Sequence, residues 1–225
     1  MKKLISFFLL FLCLNNFQRA HAADTGLSAT SLKFKVFKMA VSTSPLCTNL
    51  ITVLDNGTSA VETDFLQNPN LGSGVVANGT YPCLVIEMED IFTFRPSANS
   101  TSGHCNTGVD STLDICRTTN GGQSKLIDGT NVTCGVPGTA DRIAIYISTA
   151  TVGKNGDAFF PPTSIGDTTH GTPLTTALTN TGTSSGKLVV NTAGGICDKA
   201  LAGCDGAGGG TTCAIDQIDF SFVKL

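Results

Sequence analysis

Cysteine constrains this chain more than any other residue. Cys47, Cys83, Cys105, Cys116, Cys134, Cys197, Cys204 and Cys213 all follow an apolar leader, and Cys13 lies inside it. The leader reads as a cleavable secretory signal. Met1, Lys2 and Lys3 give a basic start, residues 4–14 an apolar run broken only by Ser6, and Ala20-His21-Ala22 the small residues a signal peptidase needs. Cleavage is expected before Ala23, leaving residues 23–225 as one mature domain. The apolar run is shorter than the roughly 20 residues a bilayer span takes, so no membrane span is expected in the mature chain. Leu12 before Cys13 is too large for a lipid-attachment signal, so Cys13 leaves with the leader.

An even cysteine count behind such a leader reads as a framework of four bridges in a secreted, periplasmic or cell-surface protein. Spacing does not fix the pairing, since eight cysteines allow roughly a hundred connectivities. Cys105, Cys116 and Cys134 form one cluster and Cys197, Cys204 and Cys213 another. With three in each, at least one bridge must leave each cluster. A zinc site of His104 and nearby thiols is the rival, but no C-x-x-C pair is present and export favours oxidation.

Removing residues 1–22 takes Lys2, Lys3 and Arg19 with them and leaves a net charge of −6. That balance argues against nucleic acid as a partner, which selects for a basic footprint. Charged residues make up 14 % of the chain, below the ~25 % of ordinary soluble domains. Thr, Ser, Asn and Gly take their place, a composition that favours pleated strands over helices.

The strands announce themselves by alternation. In residues 80–94, Leu84, Ile86, Met88, Phe92 and Phe94 share one face, and Val85, Glu87 and Glu89 the other. Ile143, Ile145 and Ile147 alternate with Ala144, Tyr146 and Ser148, and Ile218 and Phe220 with Asp219 and Ser221. The first strand starts with Leu32, Phe34 and Val36 inward and then changes phase to Phe37, Met39 and Val41. A bulge near Val36-Phe37 is expected, because a one-residue slip flips every side chain. Asn56-Gly57, Asn78-Gly79, Asp128-Gly129 and Asn155-Gly156 are expected as tight type I′ hairpin turns. Long loops are expected at 96–124, 163–186 and 192–213. The second, without a cysteine, is expected to be mobile and the first site of proteolysis. No helical period follows the leader.

The strand at residues 32–41, then Leu71-Gly72-Ser73-Gly74 and Asn78-Gly79-Thr80-Tyr81 opening Leu84-Val85-Ile86-Glu87-Met88, resembles bacterial exported β-sandwich domains of the transthyretin-like or carboxypeptidase-regulatory-like type. The likeness covers roughly residues 30–95 and the strand near 142–150. It implies an all-β, mostly antiparallel sandwich, here with disulfide-braced loops, and no activity, since fold does not carry function.

Several constellations could carry chemistry. Gly182-Thr183-Ser184-Ser185-Gly186 has the spacing of a nucleophile elbow, but that turn needs a helix after it and a β-type run follows. Glu87 and Glu89 on one strand face lie about 6.5–7 Å apart, a spacing usable for glycoside hydrolysis or calcium. A solvated face pairing with Lys33 and Lys35 on a neighbouring strand is the better reading, since such sites draw carboxylates from different segments and the chain has no Trp, and joint replacement by glutamine would then cost little. His104 and His170 are expected as solvated loop residues. Asp198, Asp205 and the glycine run 206–210 lack the spacing of a calcium loop. No cofactor or metal is expected. The chain therefore reads as a secreted non-enzymatic binding or structural protein, adhesin-like or part of a surface assembly, meeting an extracellular protein or glycan. The alternatives are a secreted hydrolase using Glu87 and Glu89 or a loop histidine, and a subunit that adds a strand to a surface assembly.

Overall fold

A computed structural model describes residues 26–67, 76–116, 122–153, 157–182, 186–200, 204, 212–215 and 218–224. The expected leader with its cut at Ala23, the Asn155-Gly156 turn and the run 206–210 lie outside them. Strands β1 Ala29–Ser42, β2 Ile51–Asp55, β3 Glu62–Asp64, β4 Gly79–Tyr81, β5 Cys83–Glu89, β6 Ile91–Pro96 and β7 Ser111–Asp114 form the first half. Strands β8 Gln123–Lys125, β9 Asn131–Thr133, β10 Arg142–Ser148, β11 Thr172–Pro173, β12 Leu178–Asn180, β13 Gly186–Asn191, β14 Ile196–Asp198, β15 Cys213–Ile215 and β16 Asp219–Lys224 form the second. The described residues hold no α-helix, only a 3₁₀ turn at Phe65–Gln67. The fold is all-β and mostly antiparallel.

The long strand β1 is the rail of the main sheet. Strands β2 and β3 follow one another along it, and so do β5 and β6. Only Asp90 separates β5 from β6, too short a link to cross over β1, so both lie on one edge. Strands β10 and β11 extend the sheet beyond β5, with β10–β11 the parallel pair, and β7 extends it beyond β6. Register against β5 shifts between Val36 and Lys38, where the phase change in the sequence predicts a bulge. Further shifts stand at Met39/Ala40 and Ala29/Ser31. Such bulges bend and coil a strand, and the sheet curls into a half-barrel.

The curl encloses the principal core. Leu32, Phe34 and Val36 meet Leu84, Ile86, Met88, Phe92, Phe94, Ile143 and Ile147 there, all nearly inaccessible to water. Phe34 stacks between Phe65 and Phe92, with ring centroids 3.9 and 4.8 Å away. Tyr81 is buried and its hydroxyl donates to the Ala77 carbonyl, four residues upstream. The same device, a tyrosine tied back to nearby backbone, pins corners in immunoglobulin-type sandwiches.

The outer face of β5 and β10 is covered as well. Cys83, Val85, Ala144 and Tyr146 pack with Cys47 in a second cluster beneath Leu126 and Ile127 of the β8–β9 hairpin. Ser124 Oγ clamps that hairpin down, accepting from the Ala144 amide and donating to the Ala144 carbonyl, while the Tyr146 hydroxyl donates to the Lys125 carbonyl.

The turn expectations need three corrections. Asn56-Gly57 joins no hairpin: β2 and β3 both pair with β1, and Asn56 bridges them by donating its backbone amide to the Phe37 carbonyl and its side-chain amide to the Val36 carbonyl. Gly79 is a strand residue of β4 opposite Asn180 in β12. Asp128-Gly129 does close the β8–β9 hairpin, but only Gly129 has a positive φ, so the turn is type I with a glycine bulge rather than type I′. The expected loops also contain strands. Residues 96–124 include β7, 163–186 include β11 and β12, and 192–213 include β14.

Four bridges brace this frame: Cys47–Cys83, Cys105–Cys213, Cys116–Cys134 and Cys197–Cys204. Cys105–Cys213 is the bridge that leaves both clusters, as the count of three in each requires.

Candidate functional site

Glu87 and Glu89 do not share a solvated face. Both leave β5 on its outer side, but the β8–β9 hairpin covers Glu87 and leaves it 2 % exposed. One of its carboxylate oxygens accepts from the Ile127 amide at 2.9 Å and the other from the Arg142 guanidinium. Arg142 also lies over the Phe37 ring, 4.7 Å from its centroid. Glu89 sits past the hairpin and meets Lys35 at 2.9 Å, a cross-strand pair that the alternation on β1 predicts. One glutamate is thus a structural anion and the other a surface partner, and neither faces a shared cleft with the other.

The histidines are not plain solvated loop residues either. His104 Nδ1 lies 3.0 Å from Oδ1 of Asp198, which is fully buried on β14. The same carboxylate accepts from the Ser100 and Ser102 hydroxyls and from the His104 and Ala200 amides. Burial pushes the Asp198 carboxyl up, but the Ser100 and Ser102 hydroxyls and the two amides outweigh it and hold it well below the usual carboxylate range. Across the molecule, Asp167 repeats the arrangement within its own loop. It accepts from the amides and hydroxyls of Thr163 and Thr169 and from the His170 amide, with His170 Nδ1 at 3.3 Å. The Thr163 and Thr169 amides, then the Thr169 hydroxyl, hold Asp167 far below the ordinary range.

These knots have two consequences. Residues 163–174, expected as mobile, are fastened through Asp167 and end on Leu174, which is buried. A nucleophile and its base need the hydroxyl hydrogen-bonded to the imidazole rather than spent on the acid. In the Asp167 knot the Thr169 hydroxyl lies 2.9 Å from His170 Nδ1, but it also bonds Asp167 Oδ1 at 2.8 Å and the same ring nitrogen lies 3.3 Å from Asp167 Oδ2, so the imidazole does not bridge hydroxyl and acid. Ser100 and Ser102 donate to Asp198, not to His104. Cys105 and Cys116, the thiols nearest His104 in the sequence, are in bridges. Ser184 of the Gly-x-Ser-x-Gly run and Asp205 lie outside the described residues, and the run is flanked by strands β12 and β13.

Sequence alternation missed one acidic group. Asp90, between β5 and β6, is fully buried. Its Oδ1 accepts from the Asp141 amide at 2.8 Å, and its Oδ2 has no partner among the described residues. Asp114 on β7 donates no charge balance: its Oδ2 accepts from the Gly138 amide at 2.7 Å and its buried Oδ1 is likewise unpartnered. Asp141 in turn accepts from the Gly135 amide. Burial, resisted by the Asp141 amide and reinforced by the charges of Asp114 and Asp141, pushes Asp90 up to about 7. A signal was present, because Asp90 has the parity of Leu84, Ile86, Met88, Phe92 and Phe94, a lone acid in an apolar register. No group of three His, Cys, Asp or Glu among the described residues is placed to hold a metal ion, and no described helix is long and apolar enough to cross a membrane.

The most exposed of the fastened segments is 97–110, between β6 and β7. The Cys105–Cys213 bridge and the Asp198 knot hold it from inside. Asn99 Oδ1 accepts from the Thr107 amide and hydroxyl, and Arg95 pairs with Asp110 at 2.7 Å. Ser97, Ala98, Asn99, Thr101, Thr107 and Val109 remain exposed. No family model, curated protein or solved structure matches the chain.

Proposed function

We propose that this is a secreted binding protein, without catalytic activity, that presents the 97–110 loop to an extracellular glycan or protein. The observation that carries the reading is that this loop is at once exposed and immobilised. A disulfide, a buried carboxylate and an Asn–Thr clasp fix its shape before any ligand arrives, and preorganisation removes the entropy cost that weakens loop-mediated binding. Its outward surface is mostly hydroxyl and amide with Ala98 and Val109, and its one exposed carboxylate, Asp110, is paired with Arg95, so it suits neutral polar ligands rather than ionic ones. Four bridges fit an oxidising compartment, and the leader read from residues 1–22 belongs to the same reading. The carboxylates and hydroxyls that a hydrolase would need are spent on internal bonds at Glu87, Asp198 and Asp167, which supports binding over hydrolysis. The likeness to exported β-sandwich domains belongs to the same proposal.

The test is a screen of the oxidised protein against glycan arrays and surface proteins, with hydrolysis of polysaccharides and esters assayed in parallel. Binding that is lost in Ala98→Arg and Val109→Arg, with melting temperature unchanged, is the expected result. Turnover of any substrate, or binding indifferent to both substitutions, would overturn it. A role as a strand-adding assembly subunit rests on a separate observation. Strand β2 pairs only with β1 among the described residues and exposes Ile51, so proline at Thr52 would block assembly there.

A further inference from the structure

We propose that Asp90 carries a proton in the folded protein and that this proton latches the 134–141 turn onto the β5–β6 corner. Two carboxylate oxygens, Asp90 Oδ2 and Asp114 Oδ1, are buried without a partner among the described residues. An ionised carboxylate only accepts, so a buried Asp90 Oδ2 with no donor is an orphaned charge, which a proton on Asp90 removes. Asp114 stands at the same corner as Asp90, because the amide of its neighbour Ile115 donates to the Asp90 carbonyl at 3.1 Å.

The charges around Asp90 require the same thing. Asp114 faces it from β7 and Asp141 from the end of the turn. From β10, the Arg142 guanidinium is committed to Glu87, and from β5, Glu89 is committed to Lys35. No ion pair among the described residues reaches Asp90, Asp114 or Asp141. The upward push on Asp90 described above agrees with this arrangement.

The turn is attached through these same carboxylates. Gly135 donates to Asp141, Gly138 to Asp114 and Asp141 to Asp90. Loss of the proton sets two buried like charges beside these anchors and loosens the turn. The folded state binds this proton more tightly than the unfolded chain. Its stabilisation is therefore complete below the unfolded carboxyl value near pH 4, declines as pH rises, and is gone above about 7.

The experiment compares the oxidised full chain with Asp90→Asn and Asp114→Asn. Wild-type melting temperature should fall by several degrees between pH 5 and 8, on top of a trend that Asp90→Asn shows alone. In Asp114→Asn the step should move to lower pH. Hydrogen exchange at the Gly135, Gly138 and Asp141 amides, corrected for intrinsic rates, should quicken across the same window in wild type only. Infrared spectra with ¹³C-labelled aspartate should show a protonated buried carboxyl at pH 5. Its absence, or parallel melting profiles for wild type and Asp90→Asn, overturns the proposal. So does a calcium-induced rise in melting temperature at pH 8 that Asp90→Asn abolishes, which would make the pair a cation site. If Asp90→Asn does not fold, the infrared band of wild type decides.

Discussion

Arg142 on β10 and Glu87 on β5 form an ion pair in which the Glu87 side chain is 3 % exposed and the Arg142 side chain 33 %. The pair lies under the β8–β9 hairpin and holds it, because the second carboxylate oxygen of Glu87 takes the Ile127 amide. Electrostatics here serve the cover of the sheet.

Glu87→Gln should therefore destabilise the protein by about 1.5–3 kcal/mol, the range for hydrogen bonds to charged groups. Arg142 keeps access to solvent, which holds the cost below that of a fully buried orphan charge. Glu89→Gln, breaking a partly exposed pair with Lys35, should cost less than about 1 kcal/mol. Urea unfolding of the two variants checks the order, and equal costs would contradict the burial of Glu87.

Close backbone approach makes a second prediction. A Cβ added at Gly153 would sit 2.5 Å from the Thr168 carbonyl oxygen. Gly153→Ala must push two backbone segments apart and should cost about 1–3 kcal/mol or more. Gly57 has a φ of +55° but nothing within 4 Å of the added atom, so Gly57→Ala should cost only about 1 kcal/mol of backbone strain. Thermal melts of both variants separate clash from conformational strain.

The bridges should be unequal. Cys105–Cys213 closes 108 residues and Cys197–Cys204 only 7. The chain-entropy relation gives about 5 kcal/mol for the first and about 2 kcal/mol for the second. Paired alanine substitutions, compared by denaturant midpoint, should keep that order.

Acid should act through Asp198. Its folded value lies below its unfolded one, so the stability it contributes is full above about pH 4 and is lost as pH falls further. Wild type should melt at progressively lower temperature from pH 4 to pH 2. Asp198→Asn should start lower at pH 7 and change less over that interval, measured by calorimetry.

Alternation makes the main strands legible in the sequence, because period two is a local property. Leu32, Phe34 and Val36 gave the inward face of β1, and the slip to Phe37 gave its bulge. What escaped was set by residues far away in sequence. Glu87 looked solvent-facing because its lid, Ile127, comes from a hairpin 40 residues on. Asp198 looked like an idle loop acid because Ser100, Ser102 and His104 reach it from 94 to 98 residues upstream. Asn56-Gly57 has hairpin chemistry but not a hairpin's role, since the long β1 offers both flanking strands a better partner than each other. Asp90 could have been found, as an acid in an apolar register.

The Cys105–Cys213 bridge carries a consequence for biogenesis. A chain emerging from its N-terminus presents Cys47 and Cys83 early, and these can join at once. Cys105 emerges next but must stay unpaired until Cys213 appears, while Cys116 arrives only 11 residues later. Oxidation in order of appearance would join Cys105 to Cys116 and strand Cys134 and Cys213. Correct maturation therefore requires either that β7 separates the first two thiols before they oxidise or that a thiol exchange catalyst undoes the error. A strain lacking disulfide isomerase should accumulate the misjoined form.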